Sequence, residues 1–196
     1  VPDEGVETAR RLLIDVAGLC VAARRERYVD ATLGAADHGS CTVFGHSGSF
    51  DGFGAALVNG TAAHGEDFDD TFEGGPVHSG AVIIPAVVAA CERERLGGDR
   101  LLVGIATGTE LMCRMSLVAP MATHNAGFHP TAIFGALASA AAVAAALRVP
   151  AGASASGLGI AGTMASGITP YLTQGTGPKP EPRPGPGLEK PPAPSP

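Results

Sequence analysis

Aromatic side chains are scarce in this sequence: phenylalanine, tyrosine and tryptophan together make up 5%, and tryptophan is absent. Hydrophobic residues still reach 45%, with alanine and glycine filling the difference. A core of such small side chains depends on close helix–helix contact rather than on bulky fillers. Basic residues are also in deficit, 13 Lys and Arg against 19 Asp and Glu, for a net charge of −6. A nucleic-acid binder needs a basic face to neutralise phosphates, so nucleic acid is not an expected partner. A small anionic substrate stays open, because a few local residues can invert the overall sign. The four cysteines, Cys20, Cys41, Cys91 and Cys113, form no CxxC pair. That removes the common zinc spacings and leaves free, reduced, partly buried thiols as the expectation. No secretory signal is visible, which leads to the expectation of a cytoplasmic protein. The most apolar run, residues 132–147, falls short of the roughly 20 residues of a bilayer span, so a buried helix is expected and no membrane partner.

Helical periodicity is clearest at the start. Val6, Ala9, Leu12, Leu13, Val16, Ala17 and Cys20 share one face, which predicts an amphipathic helix over 3–23. Asp3 and Glu4 suit its N-terminus, and Arg24 and Arg25 its C-terminal end. Residues 34–52 are polar and glycine-rich and read as a loop with one short extended piece. Further helices are expected over 53–66, 81–95, 100–115, 131–147 and 154–167. Pro85 would fall in or near the first turn of its helix, where a missing N–H is tolerated. Gly97 and Gly98 would end that helix, Asp99 would cap the next, and Pro150 would stop the one over 131–147. Alternating strand patterns are missing, so the fold class is all-α: one multi-helix domain over 1–174. Nine of the 22 residues in 175–196 are proline. With so many N–H groups lost, neither helix nor ladder can form, and this segment is expected to be a disordered tail. It reads either as a proline-rich recognition segment or as a tail unrelated to the parent fold, such as a reading-frame error would append.

Two places carry candidate chemistry. The first is Asn59 to Thr71, ending in the string Asp67-Phe68-Asp69-Asp70-Thr71, followed by His78. Such crowding of carboxylates costs repulsion unless hydrogen bonds or cations relieve it; the plain alternative is a solvated loop whose Asp residues cap the next helix. The second is Gly127-Phe128-His129-Pro130-Thr131. A histidine before proline is held out of helical geometry at the start of a helix, where it can serve proton transfer or simply begin the helix. His64, Asp67, Asp69, Asp70 and His78 include metal-ligating types, yet their spacing matches no recognised metal site. The run 157–162 mimics GxGxxG but lacks a preceding strand, so it reads as a helix-packing face.

Taken together these strings resemble the MmgE/PrpD family. The resemblance runs through 58–64, the Asp67–Thr71 string, His78, the 81–92 helix, the Gly127–Thr131 string and 158–167. It implies a large all-helical domain with a smaller lid, no metal or organic cofactor, a homodimer, and a small polycarboxylate substrate. The reactions it implies are dehydration, decarboxylation or epimerisation, all by proton movement beside a carboxylate. It places active-site roles on Asp67, Thr71, His78 and His129, and a catalytic lysine on Lys179. Asp67 would orient a histidine and favour its charged form. By family prevalence a 2-methylcitrate dehydratase-like activity comes first. The resemblance breaks down near Gly177, where Pro180, Pro182 and Pro184 replace the family's continuation. The lid with a further histidine is therefore expected to be missing, and the 196 residues alone are expected to turn nothing over. The rival class is a non-catalytic helical interaction module displaying a proline-rich ligand.

Overall fold

The computed structural model describes residues 1–167. Within them the order is α1 (Asp3–Ala23), α2 (Arg27–Leu33), β1 (His38–Cys41), α3 (Gly52–His64), α4 (Ser79–Arg93), α5 (Gly98–Val118), α6 (Ala122–Asn125), α7 (Pro130–Leu147) and α8 (Ala151–Met164). The fold is all-α, as expected. β1 meets only isolated antiparallel bridges, from His38 and Cys41 to Phe50. Lys179 and the proline-rich segment 175–196 lie outside the described residues.

Helix α4 is the axis of the domain. Ten of its 15 residues are buried, because its two faces serve two separate cores. One face, with Ala81, Ile84 and Val88, joins Val16 and Cys20 of α1, Val29 of α2, Val58 and Ala62 of α3 and Ile105 of α5. The other, with Ile83 and Val87, joins Met112 of α5 and Ala138, Ala142 and Ala146 of α7. The scarcity of aromatics explains the closeness of this second core. A Cβ on Gly108 would lie 2.7 Å from that of Ala142, and one on Gly104 would lie 2.9 Å from the Ala142 carbonyl oxygen. Glycine at these positions therefore sets the distance between α5 and α7. Arg100 fastens the far end by donating to the Ala145 and Ala146 carbonyls at 2.6 and 2.9 Å, satisfying acceptors left open at the α7 C-terminus. Asn59, buried in α3, accepts from Phe44 N–H and donates to the Thr42 carbonyl, both at 2.9 Å, which holds the loop after β1.

Several boundaries differ from expectation. Helix α4 begins at Ser79, so Pro85 is its seventh residue rather than a first-turn one. The N–H it lacks would have met the Ala81 carbonyl, and Gly60 of α3 lies against that oxygen instead, where a Cβ would stand 3.1 Å away. Helix α4 ends at Arg93, before Gly97 and Gly98. Arg95 takes the left-handed position (φ 55°), and Leu96 N–H closes onto the Cys91 carbonyl at 2.8 Å. This is a Schellman-type stop in which arginine stands where glycine is usual. Gly97, not Asp99, is the N-cap of α5, and Asp99 sits inside its first turn. Arg148 (φ 56°) stops α7 in the same left-handed way, leaving Pro150 as the N-cap of α8. The short helices α2 and α6 had no periodic signal long enough to announce them. A Cβ added at Gly157 or Gly159 would meet nothing within 4 Å, whereas one at Gly162 would lie 3.8 Å from Leu137, so of the three glycines in the GxGxxG run Gly162 is the one that faces α7, on which α8 packs. Finally, α5 and α7 are each long and apolar enough to cross a membrane by length and composition, so the argument from shortness for 132–147 does not hold. Here they pack on each other and on α4.

All four cysteines are free. Burial pushes the Cys20 thiol up to about 12, which suits a core residue and not a nucleophile.

Candidate active site

Three helix ends meet at one place. His64 is the last residue of α3, His78 the N-cap of α4 and His129 the N-cap of α7. Their imidazole centroids form a triangle with edges of 4.9, 5.7 and 6.5 Å. The two turns singled out in the sequence are thus brought together, and His64 joins them.

Local chemistry fixes each corner. Asp70 caps α4 from nine residues upstream: Oδ2 accepts from Ser79 N–H (3.1 Å) and Ser79 Oγ (2.8 Å), and Oδ1 from Gly80 N–H (2.8 Å). It answers open N–H groups and places negative charge at the helix N-terminus. His78, one residue earlier, is thereby held at the mouth of α4. Its own N–H donates to Thr131 Oγ1 at 3.1 Å, joining the starts of α4 and α7. His129 N–H donates to the Gly167 carbonyl at 2.9 Å, which ties that corner to the segment after α8. His129 Nδ1 accepts the Thr131 N–H at 3.2 Å, so the imidazole is itself a helix cap. The turn before it passes through Gly127 at φ 85°, a backbone glycine adopts without cost.

Beneath the imidazoles lies Asp69, its side chain fully buried. Oδ2 is 2.8 Å from His64 Nδ1, and Oδ1 is 3.4 Å from His78 Nδ1. The second contact is an ion pair without hydrogen-bond alignment, so Oδ1 is a buried acceptor with no well-seated donor. Burial is the largest single influence on this carboxyl and would raise its pKa. The hydrogen bond with His64, the close approach of His78 and the charge of both imidazoles together outweigh it and hold Asp69 well below the usual carboxylate range. The His78 pKa is raised, first by contact with Asp69, against burial, and then by the charges of Asp69, Asp67 and Asp70. Thr71 Oγ1 stands 3.4 Å from His78 Nδ1 on the exposed side. Asp67 is exposed, at φ 60°, in a left-handed turn that aspartate tolerates.

The expected site residues Thr71, His78 and His129 therefore gather here. Asp69 is in contact with two imidazoles; Asp67 belongs to the same cluster, within 4.8 Å, and its charge helps raise the His78 pKa. In the sequence Asp69 and His64 stand out only as potential metal ligands, and Thr131 carries no role of its own. The capping alternative also has substance, since Asp70 does cap α4.

His64, Asp67, Asp69 and His78 offer ligand atoms all within 4.8 Å of one another, a set whose residue types suit a divalent cation. The 2.8 Å separation of His64 Nδ1 from Asp69 is that of an N–H···O hydrogen bond; Nδ1 would have to lose that proton before it ligated a metal, whereas Nε2 would not. Beside His64, a cleft of about 400 Å³ runs between α3 and α4, lined by Leu57, Gly60, Thr61, Val82 and Pro85 among others. It is largely apolar and reaches the cluster only at His64.

A helical domain bearing an imidazole–carboxylate cluster at its helix ends has the makings of an acid–base site. The chain belongs to the MmgE/PrpD family: the model of the family's N-terminal domain matches residues 1–185. It is 30% identical over 178 residues to a cis-aconitate decarboxylase of Aspergillus terreus, covering 86% of this chain and 36% of that protein. It is 28% identical over 180 residues to the cis-aconitate decarboxylase-like protein oryM of Aspergillus oryzae, covering 86% and 37%. To the human cis-aconitate decarboxylase it is 39% identical over 92 residues, covering 45% and 19%. The chain spans about a third of the length of the Aspergillus relatives it matches.

Proposed function

We propose that this domain supplies the acid–base half of a lyase-type site acting on a small di- or tricarboxylate, by moving a proton at a carbon next to a carboxylate. One observation carries the reading: three imidazoles within 6.5 Å of one another, two of them in contact with a single buried carboxylate. Proton transfer at carbon needs a base and an acid near neutral pH, and histidine serves as both. Thr71 Oγ1 and the imidazole N–H groups are donors for substrate carboxylates. The names of the relatives favour cis-aconitate over 2-methylcitrate within this class.

The test is calorimetric binding of cis-aconitate, 2-methylcitrate and a monocarboxylate control to the purified chain, with divalent metal and, separately, with chelator. A tricarboxylate is expected to bind, and folded His78→Ala and His129→Ala variants are expected to bind it at least tenfold more weakly. Absence of tricarboxylate binding, or binding indifferent to both substitutions, would overturn the reading. Binding that requires stoichiometric divalent metal would replace it with a metal-dependent one.

A further inference from the structure

His64, Asp67, Asp69 and His78 each offer a ligand atom within 4.8 Å of every other. Two imidazoles with a carboxylate suit zinc and its neighbours among the divalent metals, whereas magnesium and calcium take oxygen ligands. Ligand atoms around tetrahedral zinc, at bonds of about 2.0–2.2 Å, stand roughly 3.3–3.6 Å apart. His78 Nδ1 and Asp69 Oδ1 are already 3.4 Å apart. A second observation points the same way. Asp69 Oδ1 lies inside the protein, on a side chain with no exposure, and has no aligned hydrogen-bond donor. A bound cation would satisfy that oxygen. His64 and His78 keep 24% and 17% of their side chains exposed, so an ion can enter from the imidazole side and be held by the buried carboxylate. Negative charge gathers around the place: Asp67, Asp69 and Asp70 all act on His78, and Asp69 and Asp70 also act on Asp15.

We propose that His64, Asp69 and His78 form a site for one divalent ion of the zinc class, with Asp67 in range as a fourth ligand, and that the ion switches off acid–base work at these two imidazoles. The site stands on the geometry of the cluster; only its inhibitory effect rests on the acid–base reading. A ligating imidazole gives the lone pair of one nitrogen to the metal and carries its proton on the other. No lone pair is then left to accept a proton from carbon, whichever nitrogen is bound. A ring that is doubly protonated must first release a proton to solvent, so the ion and that proton compete for the same imidazole. Asp69 is the anchor, because its two oxygens face the two rings, Oδ2 toward His64 and Oδ1 toward His78.

The probe is Zn²⁺ added to the purified, chelator-treated chain. Calorimetry is expected to show one ion per chain, bound about tenfold or more weakly by His64→Ala and by His78→Ala, the order of loss that goes with a damaged metal site. His38→Ala, an exposed histidine outside the cluster, should bind as the parent chain does. Mg²⁺ and Ca²⁺ should not displace the zinc. Co²⁺ in its place should give the visible bands of nitrogen and oxygen coordination without the sulfur charge-transfer band of a cysteine ligand. Absence of binding, equal affinity in the parent and both cluster variants, displacement by Ca²⁺ at comparable concentration, or a sulfur band would overturn the site. The cobalt spectrum needs no variant, so a misfolded substitution does not blunt the test. Two-bond ¹H–¹⁵N correlation spectra of the zinc-saturated, histidine-labelled chain read the inhibitory effect. His64 and His78 should each show one metal-bound and one protonated nitrogen, and a lone-pair nitrogen on either ring would overturn it. Tricarballylate, an unreactive tricarboxylate, keeps the two readings apart. If it does not bind the metal-free chain, the polycarboxylate reading falls and the inhibitory effect with it, while the zinc and cobalt data decide the site.

Discussion

Asp69 Oδ2 and His64 Nδ1 are 2.8 Å apart across the turn that closes α3, with the carboxylate wholly inside the protein. Removing the charge there while keeping the shape should be costly, because an amide oxygen cannot replace a carboxylate facing two imidazoles. Asp69→Asn is expected to lower unfolding stability by about 1–3 kcal/mol, the range for buried hydrogen bonds to charged groups, measured by urea denaturation.

The same pair sets a pH dependence. The Asp69 pKa is lowered, so its stabilisation is complete above the ordinary carboxylate value of 3.8 and is lost as pH falls through the folded-state value. The His78 pKa is raised, so its contribution is complete below the ordinary imidazole value of 6.5 and is lost as pH rises through the folded-state value. Both are present together between about 3.8 and 6.5. Urea midpoints followed from pH 3 to 9 should show this part of the stability greatest in that window, and Asp69→Asn should flatten both flanks. Equal pH profiles for the parent chain and Asp69→Asn would contradict the coupling.

Asp70 holds the start of α4 with three hydrogen bonds. Asp70→Ala should cost about 1–2 kcal/mol, as loss of a helix cap does, and should also weaken tricarboxylate binding by loosening His78. Asp70→Asn, which retains one acceptor oxygen, should recover part of both. Loss of stability with binding unchanged would mean that the cap does not position the site.

The contact between α5 and α7 leaves no room beside Gly108. Gly108→Val should overpack it and destabilise the domain by about 1–3 kcal/mol, whereas Gly98→Ala, which meets nothing within 4 Å, should be neutral or slightly stabilising. Thermal melting of the two variants makes the comparison.

Much of this fold is legible in periodicity alone. The Val6 to Cys20 face marks α1, and the apolar content of the other long helices places them to within a few residues. Ends were harder, because backbone conformation decides them. Arg95 and Arg148 adopt left-handed stops that composition assigns to glycine, and no pattern announces a seven-residue helix such as α2. At the site, His78 and His129 stand out through their neighbours in sequence. His64 and Asp69 do not, since their importance comes from Asp69 being driven inside while Asp67 and Phe68 stay exposed. Which of three adjacent carboxylates is buried is a tertiary matter. The role of Thr131, N–H to one histidine and hydroxyl to the backbone of the other, depends on two helix starts meeting in space.

The most direct measurement is a titration of the histidine-labelled chain with tricarballylate, following all six imidazoles. His64, His78 and His129 should shift together along one binding curve, with His38 and His46 unmoved. Independent curves for the three, or no shift in any of them, would contradict a shared acid–base pocket.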